Sequence, residues 1–162
     1  MFGPDAGTPP GGFCLSVFLF VRRAGGVLVG RMAESPRWET EWAPNLRLYD
    51  APMRGAAFAA LRFPATYLRV GEAPRDAALR IWRDQLGFTE PPDLSPVLVL
   101  SEAGPSRRHP GNDHWDVVFH YEAMPPNDFA KPPHWATLEM RPVSSLAKED
   151  FAMSHGEMLS AL

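Results

Sequence analysis

The chain has 162 residues, 45% of them hydrophobic and 22% charged, with 16 Lys and Arg against 19 Asp and Glu for a net charge of −3. That length suits one core of ordinary size and is short for two, and the mixing of both signs leaves neither a basic tract for a long nucleic acid nor an acidic tail. The single cysteine, Cys14, has no internal disulfide partner, which suits a reducing cytoplasm, and its apolar neighbours favour a buried thiol over a nucleophile.

Residues 1–12 are rich in Gly and Pro and lack a basic stretch, so a flexible tail is expected ahead of a single domain over 13–162. The apolar run 13–21 is far shorter than the roughly 20 residues a membrane-spanning helix needs, and it lacks the flanks of a secretory signal, so no membrane association is expected. Its F-C-L-S-V-F-L-F-V pattern predicts a strand, Ala24-Gly25-Gly26 a hairpin turn, and V-L-V-G-R the returning strand. Residues 32–52 have little regular period and read as a long loop or insert. Within it, Trp38 and Trp42 either cap the core or form an aromatic wall against a nucleotide base. Residues 56–62 are expected to be the next strand.

From 64 to 88 the chain reads P-A-T-Y-L-R-V-G-E-A-P-R-D-A-A-L-R-I-W-R-D-Q-L-G-F. Gly71-Glu72 suits a turn into a helix, Pro74 a first helical turn, Ala77 and Ala78 close helical packing, and Gly87 a left-handed stop. At 3.6 residues per turn, positions 81, 84 and 85 share one side. An ordinary amphipathic helix would instead bury Ala78, Ile81, Trp82 and Leu86 and solvate its charges.

After a Pro-rich connector, 97–100 predicts a strand. The turn-rich segment 102–112 carries Arg107, Arg108 and His109, which suit either phosphate contact or a solvated loop. Residues 114–123, H-W-D-V-V-F-H-Y-E-A, predict a strand whose period of two places His114, Asp116, Val118, His120 and Glu122 on one face. Imidazoles and carboxylates so alternated suit a transition-metal site, a ligand cleft or simple surface hydrogen bonding. A short strand from about Trp135 and a closing amphipathic helix burying Phe151, Met158 and Leu159 finish the chain. Ser154-His155 lacks an aspartate placed to orient the imidazole, so the pair does not indicate nucleophilic catalysis.

The 64–88 segment resembles the Nudix box, G-x5-E-x7-R-E-U-x-E-E-x-G-U with U apolar. Its fixed positions fall on Thr66, Glu72, Arg80, Ile81, Trp82, Asp84, Gln85, Gly87 and Phe88. The opening hairpin and the order of the later elements resemble the same family from about residue 13 onward. The implied fold is an α/β protein, a Nudix-type α/β/α sandwich around a mixed sheet. The implied activity is metal-dependent hydrolysis of a nucleoside diphosphate linked to another group.

The resemblance implies Mg or Mn held by Glu72, Asp84 and Gln85, with Asp76 able to add oxygen. It implies catalytic roles for Glu72, Arg80 and Asp84, with Glu72 and Arg80 as a bracing ion pair and Glu122 as a late carboxylate from outside the box. Substrate would meet Arg69, Trp38, Trp42 and His120. The family's Pro-Gly-Gly is here Pro64-Ala65-Thr66, its loop glutamate is Arg69, and only Asp84 keeps a carboxylate among the late positions. Those departures equally suit a catalytically inactive module that binds a nucleotide or a protein. The partner expected is a small nucleotide diphosphate derivative, with a homodimer left open by the sequence.

Overall fold

The protein, seen in a computed structural model, is described at residues 12–105 and 110–162, apart from the Glu102 side chain. The tail over 1–11 and the cluster Arg107, Arg108 and His109 lie outside the described residues. The strands are β1 (Phe13–Arg23), β2 (Gly26–Met32), β3 (Ala65–Tyr67), β4 (Leu98–Pro105), β5 (Asp113–Ala123) and β6 (Trp135–Pro142), and the two α-helices are α1 (Ala51–Ala59) and α2 (Pro74–Arg80).

The six strands form one mixed sheet in the order β4-β5-β1-β2-β6, with β3 pairing on β1. β1 runs parallel to β5, from Phe13 opposite Trp115 to Val21 opposite Ala123, and antiparallel to β2 and β3. Such a sheet, covered on both sides, explains why β1 is a nearly unbroken apolar run rather than an alternating one. Its odd residues Val17, Leu19 and Val21 pack with Ala77, Ala78, Ile81, Trp82 and Leu86 of the α2 region. Its even residues Phe18 and Phe20 pack with Val27, Val29, Phe63 and Met158 on the other side. One strand thus divides two cores, the layered arrangement expected from the sequence.

Three local expectations are corrected. Residues 56–62 do not form a strand: 51–59 is helical, because Asp50 caps it by accepting from the Met53 N–H at 2.9 Å, Pro52 sits in its first turn and alanines fill its body. Only Leu61 and Arg62 keep bridges, to Phe151 and Gly30. The 32–52 segment is not a plain loop, since Trp38–Trp42 makes a π-helical turn and Pro44–Leu48 a 3-10 turn. The closing helix is a 3-10 helix, His155–Ala161, entered through left-handed Met153 and Ser154. No helix of the described residues is long and apolar enough to cross a membrane.

Candidate functional site

The loop ahead of α2 is tied down by one ion pair. The Glu72 Oε1 accepts from Arg80 Nε at 2.7 Å, and Oε2 accepts from Arg80 Nη2 at 2.7 Å and from the Arg69 backbone N–H at 3.0 Å. Arg80 also donates to Thr66 Oγ1 at 3.1 Å and to the Tyr67 carbonyl at 3.0 Å. Both side chains are largely buried, 6% exposed for Arg80 and 14% for Glu72. The hydrogen bonds from Arg80 hold the Glu72 carboxyl below the usual carboxylate range, against the opposite push of burial. The pair is the contact the resemblance implied, and the two Glu72 oxygens accept three hydrogen bonds between them.

Beyond Arg80 the helix widens into a π turn, Ile81–Gln85, with the Leu86 N–H reaching back to the Ile81 carbonyl at 3.0 Å. Positions 81, 84 and 85 therefore do not present one common polar side. Ile81 and Gln85 are fully buried, and Asp84 is exposed. The Gln85 side chain is not available as a metal ligand: its Oε1 accepts from the Ala65 N–H at 3.1 Å and its Nε2 donates to the Ala65 carbonyl at 3.0 Å. It pairs with β3 as another strand would. Its own carbonyl takes Trp135 Nε1 at 2.8 Å and faces His134 Nε2 at 2.7 Å.

Glu122 does not reach the box either. Tyr121 and Ala123 share the core beneath α2, so the alternation of the strand turns Glu122 to the opposite face. There its Oε1 accepts from Arg22 Nη1 at 2.7 Å, and its backbone lies opposite Phe20, whereas β3 meets β1 at Ser16 to Phe18. Asp84 alone remains as an unengaged late carboxylate, with Asp76 and Arg69 also exposed nearby in sequence. Magnesium bound by protein takes one or two carboxylates in octahedral geometry. Of the expected ligands around α2, Asp84 is the one left open to such an ion, because the oxygens of Glu72 and Gln85 already serve the frame. Among the described residues, the one group of three candidate ligands is elsewhere: donor atoms of Cys14, His114 and Asp116 lie within 4.8 Å of one another.

The aromatic residues expected to meet a base are mostly packed inward. Trp38 is fully buried, donates to the His134 carbonyl at 2.8 Å and meets Trp42 and Trp135 edge to face. His120 is buried between Phe18 and Phe20, and desolvation pulls its pKa down. Trp42 is different, because it lines a recess shared by Asn45, Arg62, Thr66, Asp116 and His155. The recess lies on the even-residue face of β1 and touches the box loop through Thr66.

Arg62 in this recess was not singled out from sequence, although an arginine in the apolar run A-L-R-F-P is the signal that could have found it. It is 2% exposed, and no carboxylate among the described residues pairs with it. Its guanidinium lies 4.8 Å over the Trp38 ring, and Nη1 approaches the sulfurs of Met32 at 3.0 Å and Met153 at 3.8 Å. Nε finds no partner, and neither do Trp42 Nε1 and the Asn45 Oδ1. Burial pulls the Arg62 pKa down to about 10.

No protein-family model matches the chain, and no curated protein does. Solved structures do. A MutT NUDIX hydrolase from Burkholderia pseudomallei superposes with a TM-score of 0.57 at 14% identity, over 91% of this chain and 96% of that one. The chain has the Nudix fold. The E. coli ORF135 protein matches with a TM-score of 0.57 at 14% identity, over 92% of this chain and 87% of its own. The NUDIX domain of Shewanella oneidensis NrtR, crystallised with ADP ribose, matches with a TM-score of 0.55 at 15% identity, over 98% of this chain and 90% of its own. In this fold, α2 and its π turn carry the segment that resembles the Nudix box, and the recess opens beside the loop ahead of it.

Proposed function

We propose that the protein binds a small nucleotide diphosphate derivative and that its box helix serves as the frame of that site rather than as a metal-holding catalytic surface. The observation that carries this reading is the engagement of Gln85, whose amide is consumed by Ala65 at the position where the box motif has a glutamate. A carboxylate there could gather a cation. An amide closing both backbone bonds of a strand residue cannot also do so without leaving those groups unpaired in the core. The ADP ribose in the Shewanella domain supports the ligand class, since that structure shares this fold over nearly the whole chain.

A second reading, hydrolysis of the same ligand class, is favoured by one observation: Asp84 is exposed and accepts no hydrogen bond among the described residues. The Nudix hydrolase from Burkholderia pseudomallei gives that activity its superfamily precedent.

Calorimetric titration with ADP ribose and a nucleoside diphosphate sugar, in Mg, in Mn and in chelator, with product analysis of each mixture, separates the two. Binding of equal affinity with and without chelator and no released product is the expected outcome. Metal-dependent product formation that Asp84→Ala abolishes would establish the second reading instead.

A further inference from the structure

The environment of Arg62 has an unmet demand that the box helix does not explain. His155 is buried beside it, and the tautomer of its ring follows from its neighbours. The Phe63 backbone N–H donates to His155 Nδ1 at 3.1 Å, so Nδ1 is the accepting nitrogen and the hydrogen sits on Nε2. That same Nε2 faces Arg62 Nη2 at 3.5 Å. Two donors therefore converge with no acceptor between them, and the charge on one of them is buried.

A buried charge whose partner is missing costs several kcal/mol. Buried arginines are normally held by carboxylates, and the nearest substitutes here are two thioether sulfurs and an indole face, all weak acceptors. Two further buried polar atoms without partners, Trp42 Nε1 and Asn45 Oδ1, lie on residues of the same recess. They offer one donor and one acceptor, so a ligand body with a neutral polar edge would meet both.

We propose that the inner end of this recess is an oxyanion-binding site, in which Arg62 and the Nε2–H of His155 together hold a phosphoryl or carboxylate oxygen and Trp42 and Asn45 read the group attached to it. The planar guanidinium fork matches both kinds of oxyanion. The imidazole adds a neutral donor, because burial and the Arg62 charge keep its pKa well below the usual value. This site goes beyond the nucleotide reading: it names the charged anchor of the recess and would hold whether or not the rest of the ligand is a nucleoside.

The test uses inorganic phosphate, acetate and ADP ribose as separate probes on the full chain, read by thermal unfolding and by tryptophan fluorescence, since Trp38 and Trp42 adjoin the site. Saturable stabilisation by phosphate, by acetate or by both is expected, and the pattern identifies which oxyanion the site prefers. Arg62→Met should unfold at the same temperature as the parent or higher without ligand, and should bind the preferred anion about tenfold more weakly or worse. General salting effects act on both proteins alike and so cancel in the comparison.

Met153→Glu provides an internal carboxylate close to Nη1, so it should raise the ligand-free unfolding temperature and remove the anion response even if Arg62→Met does not fold. A parent protein with no saturable response to either small anion would overturn the proposal. So would Arg62→Met that is destabilised yet binds the anion as the parent does. An anion response without ADP ribose binding would leave this site standing and refute the nucleotide reading, and ADP ribose binding that Arg62→Met does not weaken would do the reverse.

Discussion

The frame around Glu72 and the recess around Arg62 both centre on a buried arginine, yet they are opposite in their partnering. Arg80 donates to a carboxylate, a hydroxyl and a carbonyl, and beside it Gln85 satisfies both backbone groups of Ala65. Arg62 has sulfurs, an indole and a hydrogen-bearing imidazole nitrogen around it, with Nε unpartnered. A region whose polar groups are all engaged internally resembles structure; one whose donors converge on nothing resembles a site that awaits a ligand. The sequence motif points to the first region, and the free chemistry lies in the second.

The contrast can be broken at its strongest point first. Glu72→Gln leaves the buried Arg80 charge unpaired and should cost about 3–5 kcal/mol, measured by denaturant unfolding; a loss well under 1 kcal/mol would mean that the pair is not a brace. Gln85→Leu strands the N–H and carbonyl of Ala65 and should cost roughly 1–3 kcal/mol for each group. Gln85→Glu sharpens the comparison further, because the carboxylate would face the Ala65 carbonyl. It should lower stability by a similar amount and create no metal-dependent turnover, which a product assay in Mg and Mn would check.

Acid should weaken the recess side. Burial, with Arg62 beside it, depresses the folded-state pKa of His155 far below its ordinary 6.5. Between those two values the unfolded chain binds a proton that the folded chain does not, so stability falls as pH drops below about 6.5. His120 and His134 are depressed in the same direction, chiefly by burial. The unfolding temperature followed downward from neutral pH should fall over this window, with a shallower slope in His155→Gln. The smallest effect is expected at Asp84→Ala, an exposed change that should alter stability by no more than about 0.5 kcal/mol and leave ligand affinity unchanged.

Much of the fold was legible in the sequence because the strongest signals were periodic and local. The apolar run of β1, the alternation of β5, the turn signal Ala24-Gly25-Gly26 and the spacing of Glu72 to Arg80 each lead to the element or contact found. The strand expected over 56–62 fails because alanine and phenylalanine in a short run suit strand or helix, and the cap that decides it, Asp50, lies well ahead of that run. The widened turn at 81–85 is a hydrogen-bond pattern without a residue signature, so the motif spacing points Gln85 toward a metal whereas the fold makes it a surrogate strand partner. Glu122 lies on the face away from α2; strand alternation gives a face, but not which face the helix covers. The recess was hidden for a simpler reason. Asn45, Arg62 and His155 come from three distant segments, and their shared lack of partners becomes visible only when the chain has folded.

Calorimetric titration of magnesium into the ligand-free protein, beside Asp84→Ala, tests the central claim that the box helix is a frame. The account predicts no saturable binding in the parent and no difference between the two proteins. Stoichiometric magnesium binding in the parent that disappears in Asp84→Ala would contradict it.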